Sequence, residues 1–166
     1  MSTYSQIFGG KVNVLASDPS NPINGQVWYN STTKVLKFRE TTPSAWASGG
    51  NLATARRNLA GAGTQTTGLA FSGFDTAATA ATEEYNGTSW TAGGNMATAR
   101  TFIGGAGTQT SGLGFGGFVG TASNATEEYN GTAWTGGGNM GTGRYIVGGC
   151  GTQTSALAFG GEAVTY

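Results

Sequence analysis

Apolar residues in this chain fall in short runs separated by glycine and threonine, and the runs recur with a period of 44 residues. One copy spans Asn51–Gly94 and the next Asn95–Gly138; they align without a gap and agree at 29 of 44 positions. A third copy opens at Asn139 and reaches Tyr166, while Trp46 stands 44 residues before Trp90, so the register extends backwards too. Self-similarity at such a period is the mark of a solenoid, a propeller or an array.

Within the second copy, Asn95 to Arg100 leads into Thr101–Gly105, a β-favouring run, and Thr108 to Ser111 forms a polar turn. Gly112–Phe118 is the next run, with Leu113 and Phe115 on one face and Gly116-Gly117 ending it. A small-residue loop over 120–125 leads to Thr126-Glu127-Glu128-Tyr129, which Asn130-Gly131 turns into Thr132-Ala133-Trp134. Asn-Gly between two such runs predicts a hairpin closed by a type I′ turn, whose central residues both need positive φ. Four short strands per repeat, ended by a tryptophan and a glycine-rich exit, describe one propeller blade.

These residues resemble the kelch motif: Gly116-Gly117, Tyr129, Trp134, then Met140 to Arg144. One copy earlier the set is Gly73, Tyr85, Trp90 and Met96 to Arg100, with Ser72 in place of the first glycine. The resemblance implies all-β, kelch-like propeller blades, about three and a half per chain. Trp46, Tyr85, Trp90, Tyr129 and Trp134 would form the blade cores, and Arg56, Arg100 and Arg144 would pair with acidic groups there.

Residues 1–24 read as a leader or attachment segment, with Val12, Val14 and Phe8 as candidates for an edge strand and a Pro-rich turn or linker at Asp18 to Pro22. Residues 25–166 then form the repeat domain: a first blade at 25–50 built on a β-hairpin and the Trp46 strand, copies at 51–94 and 95–138, and a partial copy at 139–166. The phrase Asn21-Pro22-Ile23-Asn24-Gly25-Gln26-Val27-Trp28-Tyr29-Asn30, followed by Leu36-Lys37, resembles a module common in bacteriophage tail-fibre and other virion structural proteins.

Composition narrows the chemistry. Glycine accounts for 31 of 166 residues, yet four Trp, six Tyr and eight Phe recur largely in register, unlike a disordered chain. Only 10% of residues are charged and the formal net charge is zero, which leaves no electrostatic footprint for nucleic acid or an anionic membrane. No run approaches the length of a membrane span, and the N-terminus lacks the plan of a signal peptide. Cys150 replaces Ala62 and Ala106 of the earlier copies and is expected as a small buried side chain.

The absence of histidine removes Ser-His-Asp, Cys-His and most zinc chemistry, and with it the copper site of some kelch proteins. Asn86-Gly87-Thr88-Ser89-Trp90 lacks the aspartate of a sialidase Asp box. Neighbouring strand residues point to opposite faces, so Glu83-Glu84 and Glu127-Glu128 do not converge on one substrate. One of each pair is expected on an arginine and the other in solvent. Gly104 to Thr108 lacks the Gly-Lys-Ser/Thr of a phosphate loop, and the Asn-x-Ser/Thr triplets read as turns. Gln65, Gln109 and Gln153 recur in Gly-Thr-Gln-Thr, either bonding to the next blade or presenting a ring of polar loops to a glycan or protein.

The expectation is a protein with no catalytic residues, no metal and no cofactor. It is expected to be a homo-oligomeric phage structural protein in a tail fibre, appendage or capsid decoration, located in the virion. It would contact other virion proteins and a host-surface glycan or receptor, with no nucleic acid and no membrane insertion. The alternatives are a carbohydrate- or receptor-binding adhesin and a kelch-like interaction scaffold.

Overall fold

The computed structural model describes residues 5–7, 10–23, 25–39 and 47–163. Among them every regular element is a β-strand. The chain divides into two compact units, Met1–Ala47 and Ser48–Tyr166.

In the first unit β1 (Ser5–Ile7) pairs antiparallel with β2 (Gly10–Lys11). β3 (Asn13–Leu15), β4 (Val27–Asn30) and β5 (Val35–Phe38) form a separate three-stranded sheet. The expected hairpin is present as β4–β5, in the register Val27↔Phe38 to Asn30↔Val35. Its polar loop is held by the Asn30 carboxamide, which accepts from the backbone N–H groups of Thr32 and Thr33 at 3.1 and 2.9 Å. An edge strand is present at Asn13–Leu15; it holds Val14 but not Val12, and it joins β4 in parallel, pairing Asn13 with Trp28. The expected boundary after residue 24 therefore cuts through one sheet, and the chain divides instead at Ala47/Ser48. Phe8 and Trp46 lie outside the described residues.

The second unit follows the repeat. β6 (Ala60–Gly63), β7 (Gly68–Phe71), β8 (Thr82–Tyr85) and β9 (Trp90–Ala92) form a four-stranded antiparallel sheet in chain order. β10 (Gly104–Thr108), β11 (Ser111–Phe115), β12 (Thr126–Tyr129) and β13 (Trp134–Gly136) repeat it with equivalent pairings. β14 (Tyr145–Gly151) and β15 (Ala156–Glu162) pair as a two-stranded sheet. The first strands β6, β10 and β14 lie next to one another, so consecutive sheets pack face to face.

Two local expectations are corrected. The first strand of the second copy is Gly104–Thr108, not Thr101–Gly105, because Phe102 turns the chain with φ of 55°. Asn58 and Ile146, one period away on either side, share that left-handed conformation at 56°. The turn supports a backbone link between copies: Phe102 N–H donates to the Asn58 carbonyl and Ile146 N–H to the Phe102 carbonyl, both at 2.9 Å. The Asn-Gly hairpin is a four-residue loop and not a type I′ turn, since Tyr129 pairs with Trp134 and only Gly131 has positive φ. The Asn130 side chain closes it by accepting from Thr132 and Ala133 N–H at 3.0 and 2.9 Å.

The packing between sheets sets large residues on glycines. Phe71 and Leu69 of the first sheet are fully buried. A methyl group at Gly105 would lie 2.9 Å from the Phe71 ring, and one at Gly112 would lie 2.6 Å from Leu69. Phe115 sits on Gly149 in the same way. Tight aromatic-on-backbone contact explains how a glycine-rich chain still builds a core.

Candidate functional site

The recurring polar and aromatic residues converge on the contacts within and between sheets. Arg100, fully buried just ahead of β10, donates from Nη2 to Glu127 Oε1 at 2.6 Å. Its Nη1 donates to the carbonyls of Gly116 and Ala125 at 3.0 and 2.8 Å. The second Glu127 oxygen accepts Ala97 N–H at 2.7 Å. Arg56 and Glu83 repeat this one period earlier, at 2.9 Å, with Ala53 N–H again on the glutamate at 2.7 Å. Burial pulls the Arg100 guanidinium below its ordinary pKa, and the facing Glu127 carboxylate works against that shift. Each arginine thus ties the strand entrance to the middle of its own sheet.

Arg144 differs. Its side chain is exposed and, among the described residues, donates to the carbonyls of Gly160 and Gly161, at 3.2 and 3.4 Å. The expected acidic partner is not found among the described residues, because β15 is followed by no counterpart of β12 there. Cys150 is likewise exposed, contrary to expectation. Its counterpart Ala106 is buried in a cluster with Val147 of the following sheet, whereas no described sheet follows β15.

The aromatic residues join neighbouring sheets. Trp134 packs on Phe71 of the preceding sheet, ring centroids 4.8 Å apart, and its indole N–H donates to Thr82 Oγ1 at 2.9 Å. Tyr129 is fully buried against Trp134 and donates its hydroxyl to Glu84 Oε1 at 2.5 Å. Glu84 is therefore not the solvated member expected of its pair, while Glu128 is exposed. Burial, reinforced by the Glu84 hydrogen bond, pushes the Tyr129 hydroxyl up to about 12. Tyr85 and Trp90 are half-buried and stacked at 4.9 Å, with the Trp90 indole donating to the Gly50 carbonyl at 2.9 Å.

The glutamines act as clips. Gln109 Nε2 donates to the carbonyls of Gly68 and Tyr85 in the preceding sheet, at 3.1 and 2.7 Å. Gln153 does the same to Gly112 and Tyr129, at 2.8 Å each. Gly68 and Tyr85 face each other across β7 and β8, so one carboxamide closes the end of a strand pair in the sheet before its own. Gln65 is exposed and its side chain makes no hydrogen bond among the described residues.

One cluster had no warning in the sequence. In the first unit Asp18 accepts from Trp28 Nε1 at 3.0 Å, Asn30 Nδ2 at 2.8 Å and Lys37 Nζ at 2.5 Å. The Lys37 hydrogen bond, then those of Asn30 and Trp28, hold its carboxyl down at about 2. This carboxylate clasps the β4–β5 hairpin to the segment that precedes it.

Among the described residues no three His, Cys, Asp or Glu side chains are grouped to hold a metal ion, and no helix is long and apolar enough to cross a membrane. Beside Arg144 the sheet surface forms an open depression of about 460 Å³, lined in part by Met140, Val147, Ala158 and Phe159.

No family model matches the chain, and no curated protein matches it. Among solved structures it resembles that of YjhT, with a TM-score of 0.56 over 82% of this chain at 13% identity. The chain spans 45% of that structure's chain, and at this identity the likeness concerns the all-β fold alone.

Proposed function

We propose that the chain is a non-enzymatic structural protein built of kelch-like propeller blades, which works by self-assembly and binding as part of a phage virion. The observation that carries the structural role is the engagement of the recurring residues. Arg56 and Arg100 are closed by glutamates, Tyr129 and Trp134 by side chains of the preceding sheet, and Gln109 and Gln153 by its backbone. A repeated constellation engaged by its own fold, with the buried Nε atoms of Arg56 and Arg100 left without a partner among the described residues, supports a structural reading of these residues. The phage setting, as a tail fibre, appendage or capsid decoration, is supported by the resemblance of residues 21–37 to a module of virion proteins. The adhesin alternative drew on the glutamine loops, and two of those three side chains are engaged with carbonyls. The test is to probe density-purified particles from the host with an antibody raised against the chain. Signal co-sedimenting with intact particles is expected; signal confined to the soluble lysate contradicts the virion role.

A further inference from the structure

The two ends of the sheet stack in the second unit carry complementary unfilled halves of the contact that the chain already makes twice internally. At one end, Phe159 and Leu157 on β15 are 54% and 62% exposed. Their counterparts Phe71 and Leu69 are 0% and 1% exposed, because Gly105 and Gly112 of the next sheet lie on them. At the other end, Gly61 and Gly68 hold the positions of Gly105 and Gly112. Gly61 is exposed, and a methyl group there would meet only the Leu69 carbonyl oxygen of its own sheet, at 3.4 Å, whereas at half-buried Gly68 one would meet Tyr85 and the Trp90 ring of its own sheet, at 3.4 and 3.5 Å.

The polar groups match in part, since the two-stranded β14–β15 sheet has no third strand among the described residues. Gln109 and Gln153 reach carbonyls at the start of the second strand and the end of the third strand of the sheet before them. Gln65 holds the same position with no such carbonyls to reach among the described residues, and Ala156 occupies the position of Gly68 and Gly112. The backbone link that runs from Phe102 N–H to Asn58, and from Ile146 N–H to Phe102, leaves the Ile146 carbonyl as its next acceptor and Asn58 N–H as its next donor.

Building on the self-assembly reading above, we propose that a second copy of this chain docks head-to-tail, its β6–β7 face with Gly61, Gly68 and Gln65 seated on the β15 face with Leu157 and Phe159. The contact repeats the part of the internal sheet-to-sheet contact that the first two strands make, so the occupant is specified by the molecule itself. Such a heterologous contact closes into a ring if the rotation per chain permits and otherwise extends as a filament.

Sedimentation velocity over a concentration series tests this on the full chain, on Gly61→Val, on Phe159→Asp and on an equimolar mixture of the two variants. The valine blocks one face and the aspartate the opposite one, so each variant alone is expected to stay monomeric. The mixture retains one intact pairing and is expected to give a 1:1 heterodimer that grows no further. A parent chain that stays monomeric throughout overturns both this inference and the self-assembly reading. Assembly that survives both variants, or variants that stay monomeric even when mixed, overturns head-to-tail docking while leaving self-assembly standing. Matching thermal melts establish that the variants fold, and Leu157→Asp replaces Phe159→Asp if that melt shifts.

Discussion

The sheet β10–β13 and the sheet β14–β15 begin with nearly the same residues and end in different states. Phe115 is 2% exposed and Phe159 54%. Arg100 is fully buried on Glu127, whereas Arg144 lies in solvent on two carbonyls. Ala106 is buried and Cys150, in the same position, is exposed. The side chains are alike, so the difference comes from the surroundings: β10–β11 are joined by a third strand, a fourth strand and a next sheet. In this repeat a residue's role is conferred by its neighbours in the adjoining strands and the adjoining copy, as expected where stability is a sum of repeat and nearest-neighbour terms.

The sharpest way to break that comparison is at the aromatic residues. Trp134→Ala removes a buried indole that packs on Phe71 and is expected to cost about 3–5 kcal/mol in urea melts. Half-buried Trp90→Ala is expected to cost less, and equal costs would mean that burial between sheets is not what makes the residue matter. Arg100→Ala leaves Glu127 buried and unpaired, a loss of about 3–5 kcal/mol. Arg144→Ala should stay within about 0.5 kcal/mol, as exposed substitutions do. A large effect at Arg144 would show a partner for it in solution.

Tyr129 sharpens the comparison through pH. Its hydroxyl titrates near 12 in the folded chain and near 10 when unfolded. The folded state therefore favours the protonated phenol, and the stability that this supplies is complete below pH 10 and is lost as pH rises towards 12. Tyr129→Phe should cost about 1.5–3 kcal/mol at neutral pH, as the loss of a hydrogen bond to a charged group does. It should also flatten the decline between pH 10 and 12. A smaller effect than at the buried aromatic and arginine is expected at the clips: Gln109→Ala should cost about 1–2 kcal/mol by leaving the Gly68 and Tyr85 carbonyls short of a donor. Gln65→Ala in the monomer should cost nothing measurable.

Much of this was legible in the sequence. The period specified two equivalent sheets, and the Thr-Glu-Glu-Tyr run with the following tryptophan placed their outer hairpins. The pairing of Arg56 and Arg100 with glutamates is what the kelch resemblance implied. What escaped was information that a single copy does not hold. The start of β10 was misplaced because Thr101-Phe102-Ile103 looks like a strand by composition, while the link to Asn58 in the previous copy forces Phe102 into a turn. One glutamate of each pair was expected in solvent, and Glu84 escapes this because its partner, Tyr129, belongs to another sheet. The Asp18 clasp depends on a parallel pairing of β3 with β4 that no local pattern announces.

The most direct test of the neighbour rule is hydrogen exchange read peptide by peptide on the Gly61→Val chain at low concentration. Strong protection is expected across β11, Ser111–Phe115, with rapid exchange across its counterpart β15, Ala156–Glu162. Equal protection of the two strands would contradict the rule.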